Sequence, residues 1–287
     1  MSEKYFWEKF EKHATEMNVY EYENAAFKGS GLFDFDIELN NFIGSGTDSD
    51  KSIALAKAYS EAVERQYLIK KGISFFASAA HYSKEESKKN AFLELLERDA
   101  FLGTFYSNLN FKKIAHNTDQ IPPLFFSDTT NVSYYDLSYY KKYHLHACVL
   151  NLPDGGVILG LGSSRKNSTE SIRKSAIEVV RKVDNIVDVN SDDAVIRHFS
   201  FWATKKNSLD FFPSRSEKHH IMPPPTYKIS SDYLDEYGLW VSYINITNAN
   251  FLSYKQPAYE FLSKDRIDKY FRGFQTDNIL NLPHPIS

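Results

Sequence analysis

An α+β fold is what the sequence predicts, with mixed sheets packed on long helices. Three observations carry it. Long helical stretches run from about residue 51 to 70 and from 83 to 106. Short alternating or apolar runs, bounded by Gly, Pro and polar clusters, read as strands and do not alternate strictly with those helices. The chain also holds 22 Phe and 19 Tyr, side chains that suit a pleated, half-buried surface.

Residues 3 to 17 read as a helix, because Tyr5, Phe6 and Phe10 recur at helical spacing among charges. "GLFDFDIEL", residues 31 to 39, alternates apolar and acidic and reads as a strand with one wet face. "GSGTDSD", residues 44 to 50, reads as a turn. It leads into a helix from Lys51 to Lys70, with Asp48 or Asp50 as its cap. "ISFFASAA", residues 73 to 80, follows as a strand. Ser83 with Glu86 three residues on forms a capping box and opens a second helix to about Tyr106.

Strands are expected over residues 123 to 128, 132 to 137, 144 to 152 and 156 to 164. Ser168 then caps a third helix over 169 to 183, and more helix is expected between 184 and 211. "PSRSEKHHIMPPPT", residues 213 to 226, is a polar stretch with three consecutive prolines and reads as a linker. "LWVSYINIT" (239 to 247) and "AYEFL" (258 to 262) read as strands. The tail "NLPHPIS" fits neither a helix nor a central strand, since its prolines lack amide donors. The expected organisation is a core over 1–212, a Pro-rich linker over 213–228, and a C-terminal part of the same domain over 229–287.

Composition narrows the function classes. A chain of 287 residues is long enough for a sizeable core. Its net charge of −3 and pI near 6.3 provide no basic field, so nucleic acid is not an expected partner. No run approaches eighteen apolar residues, so no membrane-spanning helix is expected. The first residues, "MSEKYFWEKFEKHATEMN", are too charged for a signal peptide. With a single cysteine, Cys148, no internal disulfide can form, and a cytoplasmic location is expected. Cys148 itself sits in an apolar run and reads as core. The nine histidines show no zinc-ligand spacing, and there is no phosphate-loop motif.

Two segments repeat one arrangement. "AYSEAVERQ" holds Glu61, Glu64 and Arg65; "AFLELLERD" holds Glu94, Glu97 and Arg98. Residues three apart share a helix face, so each pair presents two carboxylates side by side. Exposed, they would be an ordinary solvated face with local Glu–Arg pairs. In a cleft they need a cation, and four converging carboxylates are the hard oxygen set that suits Mg²⁺ or Ca²⁺. Both readings stand on the residues alone. A weaker echo, "KSAIEVVRK", carries Glu178 and Arg181. "GSG" at 44 to 46 and "GLGSS" at 160 to 164 are ordinary turns, or backbone amides offered to phosphate near a helix start.

The order of these features resembles the YcaO-domain family. "GSGTDSDKSIALAKAYSEAVER", "ASAAHYSKEESKKNAFLELLERDAF" and "GLGSSRKNSTESIRKSAIEVVRK" match its three motif regions over about residues 40 to 195. "GLWVSYINITNANF" is similar to its late strand, and "NILNLPHPIS" to the proline-rich end of azoline-forming members. The chain is shortened relative to typical members, with the two acidic helices almost adjacent.

The resemblance implies an ATP- and Mg²⁺-dependent cyclodehydratase. In that chemistry a Cys, Ser or Thr side chain of a ribosomal precursor peptide attacks the preceding amide carbonyl. ATP phosphorylates the oxyanion, and loss of phosphate leaves a thiazoline or oxazoline. Carried over, Glu61, Glu64, Glu94 and Glu97 would hold Mg²⁺. Glu178, Arg181, Lys174, Arg98 and Arg65 would lie at the nucleotide, and Pro283, His284 and Pro285 would form a catalytic tail. A partner protein resembling ubiquitin-activating enzymes would bind the leader peptide, and a homodimer is compatible with this reading. The alternatives are a YcaO-type enzyme forming thioamide or amidine, and a non-catalytic scaffold of a peptide-modifying complex.

Overall fold

The computed structural model describes residues 3–22, 31–73, 75–106, 112–114, 131–183, 203 and 227–245. The strands expected at 123–128 and 258–262, the helix expected at 184–211, residues 213–226 of the linker and the tail with Pro283, His284 and Pro285 lie outside them. The chain forms two compact units. The first comprises Met1–Leu95 with Thr226–Ala249, and the second Leu96–Pro225 with Asn250–Ser287.

The first unit opens with α1 (Glu3–His13), shorter than its apolar spacing suggested. The chain turns at residues 14 to 16 and enters β1 (Met17–Glu21), a strand not expected from the sequence. β2 (Phe33–Leu39) alternates as its pattern predicts: Phe35, Ile37 and Leu39 are buried. β3 (Phe42–Asp48) corrects the expected turn at 44–50; the Gly-Ser-Gly stretch is extended and pairs with β2 along its length. The turn is instead at Asn40 and Asn41, whose φ values of 51° and 68° make the two-residue hairpin for which Asn is suited. The three strands are antiparallel in the order β1-β2-β3.

α2 (Lys51–Lys70) packs on this sheet, and Asp50 is its cap, with Oδ1 accepting from the amides of Ser52 (2.8 Å) and Ile53 (3.2 Å). Asp50→Ala is expected to lower stability by about 1 kcal/mol in a urea melt. Phe6, Phe35, Ile37, Leu39, Ala58, Tyr59, Ala62 and Leu239 form one core cluster between helices and sheet. A second antiparallel sheet has the order β4-β10-β9, from β4 (Ala77–His81), β9 (Ile229–Leu234) and β10 (Leu239–Ile244). α3 (Lys84–Tyr106) follows β4; the Ser83 hydroxyl accepts from the Glu86 amide at 3.5 Å, a long version of the expected cap. Leu95, the last residue of the unit at this end, lies within α3.

The second unit contains a four-stranded antiparallel sheet in the order β5-β6-β7-β8. Its strands are β5 (Lys112–Lys113), β6 (Val132–Asp136), β7 (His144–Asn151) and β8 (Val157–Ser164). α4 (Ser168–Val183) packs on β8 and β7. Cys148, in the middle of β7, is fully buried and its thiol is pushed well above its ordinary pKa by burial, so it is core, as its apolar run predicts. Among the described residues no helix is long and apolar enough to cross a membrane.

Candidate functional site

In the first unit, three of the four predicted carboxylates come together. Their placement starts from glycine. A Cβ on Gly44 would lie 2.1 Å from the Ala62 nitrogen and 2.2 Å from the Ala58 oxygen; on Gly46 it would lie 2.0 Å from the Ala54 oxygen. Only glycine lets β3 lie directly on the alanine stripe of α2. That close approach brings the Ser45 amide to Glu61, donating to its Oε2 at 2.9 Å. The other carboxylate oxygen of Glu61 meets Arg65 Nη2 at 2.6 Å, and Arg65 Nη1 donates to the Ile43 carbonyl at 2.7 Å. Lys57, one turn before Glu61, donates to the Thr47 carbonyl (3.1 Å) and to Asp48 Oδ2 (2.6 Å).

Ser78 on β4 joins the two acidic helices. Its hydroxyl donates to Glu64 Oε1 at 2.5 Å and its amide donates to Glu94 Oε2 at 2.8 Å. The Glu64 side chain is partly accessible, yet its carboxyl end is desolvated. Burial first, and the neighbouring Glu94 and Glu61 charges after it, push its pKa up to about 8 against the pull of Ser78 and Arg65. A buried carboxyl beside other carboxyls favours a cation, and an all-oxygen donor set fits a hard one such as Mg²⁺. As the side chains stand, no three His, Cys, Asp or Glu groups among the described residues close around a metal position.

Glu97 and Arg98 lie one turn further along α3, in the second unit, with half-buried side chains. That unit repeats the β3–α2 arrangement on β8 and α4. A Cβ on Gly160 would lie 2.1 Å from the Ser175 oxygen, and on Gly162 2.1 Å from the Ser171 oxygen. The Leu161 amide between them donates to Glu178 Oε2 at 2.9 Å. Lys182 Nζ bonds Glu178 Oε1 at 2.5 Å and donates to the Leu159 carbonyl at 2.9 Å, as Arg65 does with Glu61 and Ile43. Lys174 donates to the Ser163 carbonyl at 3.1 Å, as Lys57 does to Thr47, and approaches Glu170 at 3.5 Å. The structural counterpart of Arg65 is therefore Lys182, four residues after its glutamate, and not Arg181, three after. Arg181 is half-buried on the same helix.

One device thus occurs three times: a strand amide donates to a glutamate on the helix that follows. The pairs are Ser45 with Glu61, Ser78 with Glu94 and Leu161 with Glu178. Sequence reasoning does not reach Ser78 or Lys182 as site residues. The equal spacing of sixteen residues from Ser45 to Glu61 and from Ser78 to Glu94 was the available signal.

No protein-family profile matches the chain, and no curated protein sequence does. Solved structures do match. YcaO from Methanopyrus kandleri, bound with AMPPCP and Mg²⁺, has a TM-score of 0.62 at 10% identity, covering 88% of this chain and 91% of that one. A heterocyclase in complex with substrate and cofactor has a TM-score of 0.57 at 12% identity over 84% of this chain; the match spans about half, 51%, of the heterocyclase. The E. coli microcin synthetase McbBCD complex has a TM-score of 0.55 at 9% identity, covering 79% of this chain and 86% of that one. The neighbours are YcaO proteins and heterocyclases, and the fold is YcaO-like and α+β, as the motif order implied.

Proposed function

We propose that this chain is an ATP- and Mg²⁺-dependent enzyme acting on a peptide backbone, a cyclodehydratase that forms thiazoline or oxazoline rings through amide O-phosphorylation. The observation that carries the reading is Ser78, which ties Glu64 and Glu94 together beside Glu61, where burial first and the neighbouring carboxylates after it raise the Glu64 pKa. Such a cluster is costly without a cation. Support also comes from the fold neighbours, one of which carries AMPPCP and Mg²⁺.

In this reading Glu61, Glu64, Glu94 and Glu97 would hold Mg²⁺, and Glu178, Arg181, Lys174, Arg98 and Arg65 would lie about the nucleotide. Mg²⁺ held there would supply positive charge against a bound triphosphate. The protein's own groups set the stage. Ser45 and Ser78 amides orient Glu61 and Glu94, so the carboxylates need little reorganisation when charge arrives. Arg65 and Lys57 tie the glycine strand to α2 through its carbonyls. Pro283, His284 and Pro285 act at the peptide. The substrate is a ribosomal precursor peptide, delivered with a partner protein that binds its leader.

The test is a thermal melt with Mg²⁺·ATP, with Mg²⁺ alone, and with a Glu94→Gln, Glu97→Gln variant. A rise of about 5 °C that needs nucleotide, metal and both glutamates is expected. No shift in the wild-type chain at millimolar ATP would discard the nucleotide reading and favour the scaffold alternative. Ring formation would be read as a loss of about 18 Da per ring from a Cys- or Ser-containing peptide, the mass of one water per dehydration.

A further inference from the structure

The two units carry the same sheet-and-helix arrangement with one difference at an edge. Aligned on their glycines, Gly44 with Gly160 and Gly46 with Gly162, β2 corresponds to β7 and β1 to β6. In that correspondence Val19 matches Tyr134, Tyr20 matches Tyr135 and Glu21 matches Asp136, since Ile37 pairs with both Gly44 and Val19 while Cys148 pairs with both Gly160 and Tyr134. The second unit's sheet has a fourth strand beyond β6. There β5 pairs Lys112 with Asp136, the Lys112 ammonium lies 3.2 Å from the Asp136 carboxylate, and the Ile114 amide donates to the Tyr134 carbonyl at 2.9 Å. In the first unit β1 is, among the described residues, the last strand of its sheet.

The free edge is set up for pairing. The Tyr22 amide donates to the Asp34 carbonyl, so even-numbered residues of β1 face β2. By alternation the N–H and C=O of Val19 and Glu21 point outward, as those of Tyr134 and Asp136 point to β5. Val19 and Tyr20 are 46% and 44% exposed. β1 contains no Pro, Lys or bulge, the usual guards of an exposed edge. The charge around it is acidic: Glu16 and Glu21 flank the edge, with Asp36 and Glu38 on the adjoining strand and Lys51 as the cation on Glu21.

We propose that the edge of β1 is a docking site for an extended, lysine-bearing peptide segment, which adds antiparallel as a fourth strand with its lysine opposite Glu21 and a following amide on the Val19 carbonyl. The second unit makes this bond with its own β5; the first leaves it for another chain. The acidic surround disfavours a second copy of the same edge. Identifying the segment as part of the modified peptide rests on the function proposed above; the docking edge does not.

The experiment uses the full chain and a fluorescein-labelled peptide, NFKKIAH, copied from residues 110–116. Fluorescence anisotropy is read for the wild-type chain, Val19→Pro and Glu21→Lys. Proline at an edge position with an outward N–H leaves the β1–β2 ladder intact but blocks the added strand. Both variants are expected to bind at least tenfold more weakly. Glu21→Lys should in turn bind an NFEEIAH peptide better than the wild type does, a gain that misfolding cannot produce. Equal binding by wild type and Val19→Pro, or no binding by wild type, overturns the proposal. So does sedimentation showing a dimer that Val19→Pro dissolves and the peptide does not, which assigns the edge to a second copy. The Mg²⁺·ATP melt of the same samples keeps the two ideas apart. A lost ATP shift in wild type counts against the nucleotide reading, and peptide binding insensitive to β1 counts against this one.

Discussion

Gly44→Ala is expected to destabilise the chain by about 3 kcal/mol or more, the upper end of what overpacking a core does. The atoms a methyl group would strike, the Ala62 nitrogen at 2.1 Å and the Ala58 oxygen at 2.2 Å, belong to the backbone of α2 and cannot rotate away. Relief requires β3 to lift from the helix, which would also withdraw the Ser45 amide from Glu61. Against a total stability of about 5–15 kcal/mol this is a large loss. Gly160→Ala should behave alike, because its methyl would meet the Ser175 oxygen at 2.1 Å. Ser45→Ala keeps the amide and serves as the control. Urea unfolding of the four proteins decides it: a Gly44→Ala midpoint equal to that of Ser45→Ala would mean that β3 does not lie on α2 this closely.

The second large expected effect is a pH dependence of the Mg²⁺ binding proposed for Glu64. Its folded pKa of about 8 lies above the ordinary 4.5, so the folded chain holds a proton that the unfolded chain releases. Between those two values the unfolded state binds fewer protons, and stability without metal falls as pH rises. In the proposed function Mg²⁺ would need the carboxylate and compete with that proton. From pH 6 to pH 8 the apparent Mg²⁺ affinity should therefore rise, by up to ~50-fold if this one group must ionise. Glu64→Gln should flatten both slopes and weaken Mg²⁺ binding. Urea melts across pH 5 to 9, with Mg²⁺ titrations at pH 6 and 8, measure it. Equal Mg²⁺ affinity at the two pH values would remove Glu64 from the metal site.

Much of the fold was legible because its signals are local. The Lys51–Lys70 helix and its Asp50 cap and the alternating Phe33–Leu39 strand follow from side-chain period and capping chemistry within a few residues. The Ser168–Val183 helix follows from its period, but its cap is Asn167, whose Oδ1 accepts from the Glu170 amide at 2.8 Å, and not the expected Ser168. β1 was not legible. Met17–Glu21 is short and largely exposed, so it lacks the apolar alternation that marks a half-buried strand. The Gly-Ser-Gly stretch was misread for a related reason. Turn chemistry and close packing both select glycine, and only the helix pressed against Gly44 and Gly46 distinguishes them.

The site divides along the same line. Sequence alone determined which carboxylates are paired: Glu61 with Glu64 and Glu94 with Glu97 share helix faces because three residues make nearly one turn. It also determined the order of motifs that resembles the YcaO family. Tertiary structure decided what those residues touch. Sixteen residues separate Ser78 from Glu94, and fourteen separate it from Glu64; no local rule joins them. Their meeting depends on β4 lying against two helices at once, a long-range packing outcome. The raised pKa of Glu64 arises from that packing; the match of Lys182 to Arg65 and the edge position of β1 among the described residues arise from other long-range packing. Each is a property of distances between segments far apart in the chain, which residue order does not encode locally.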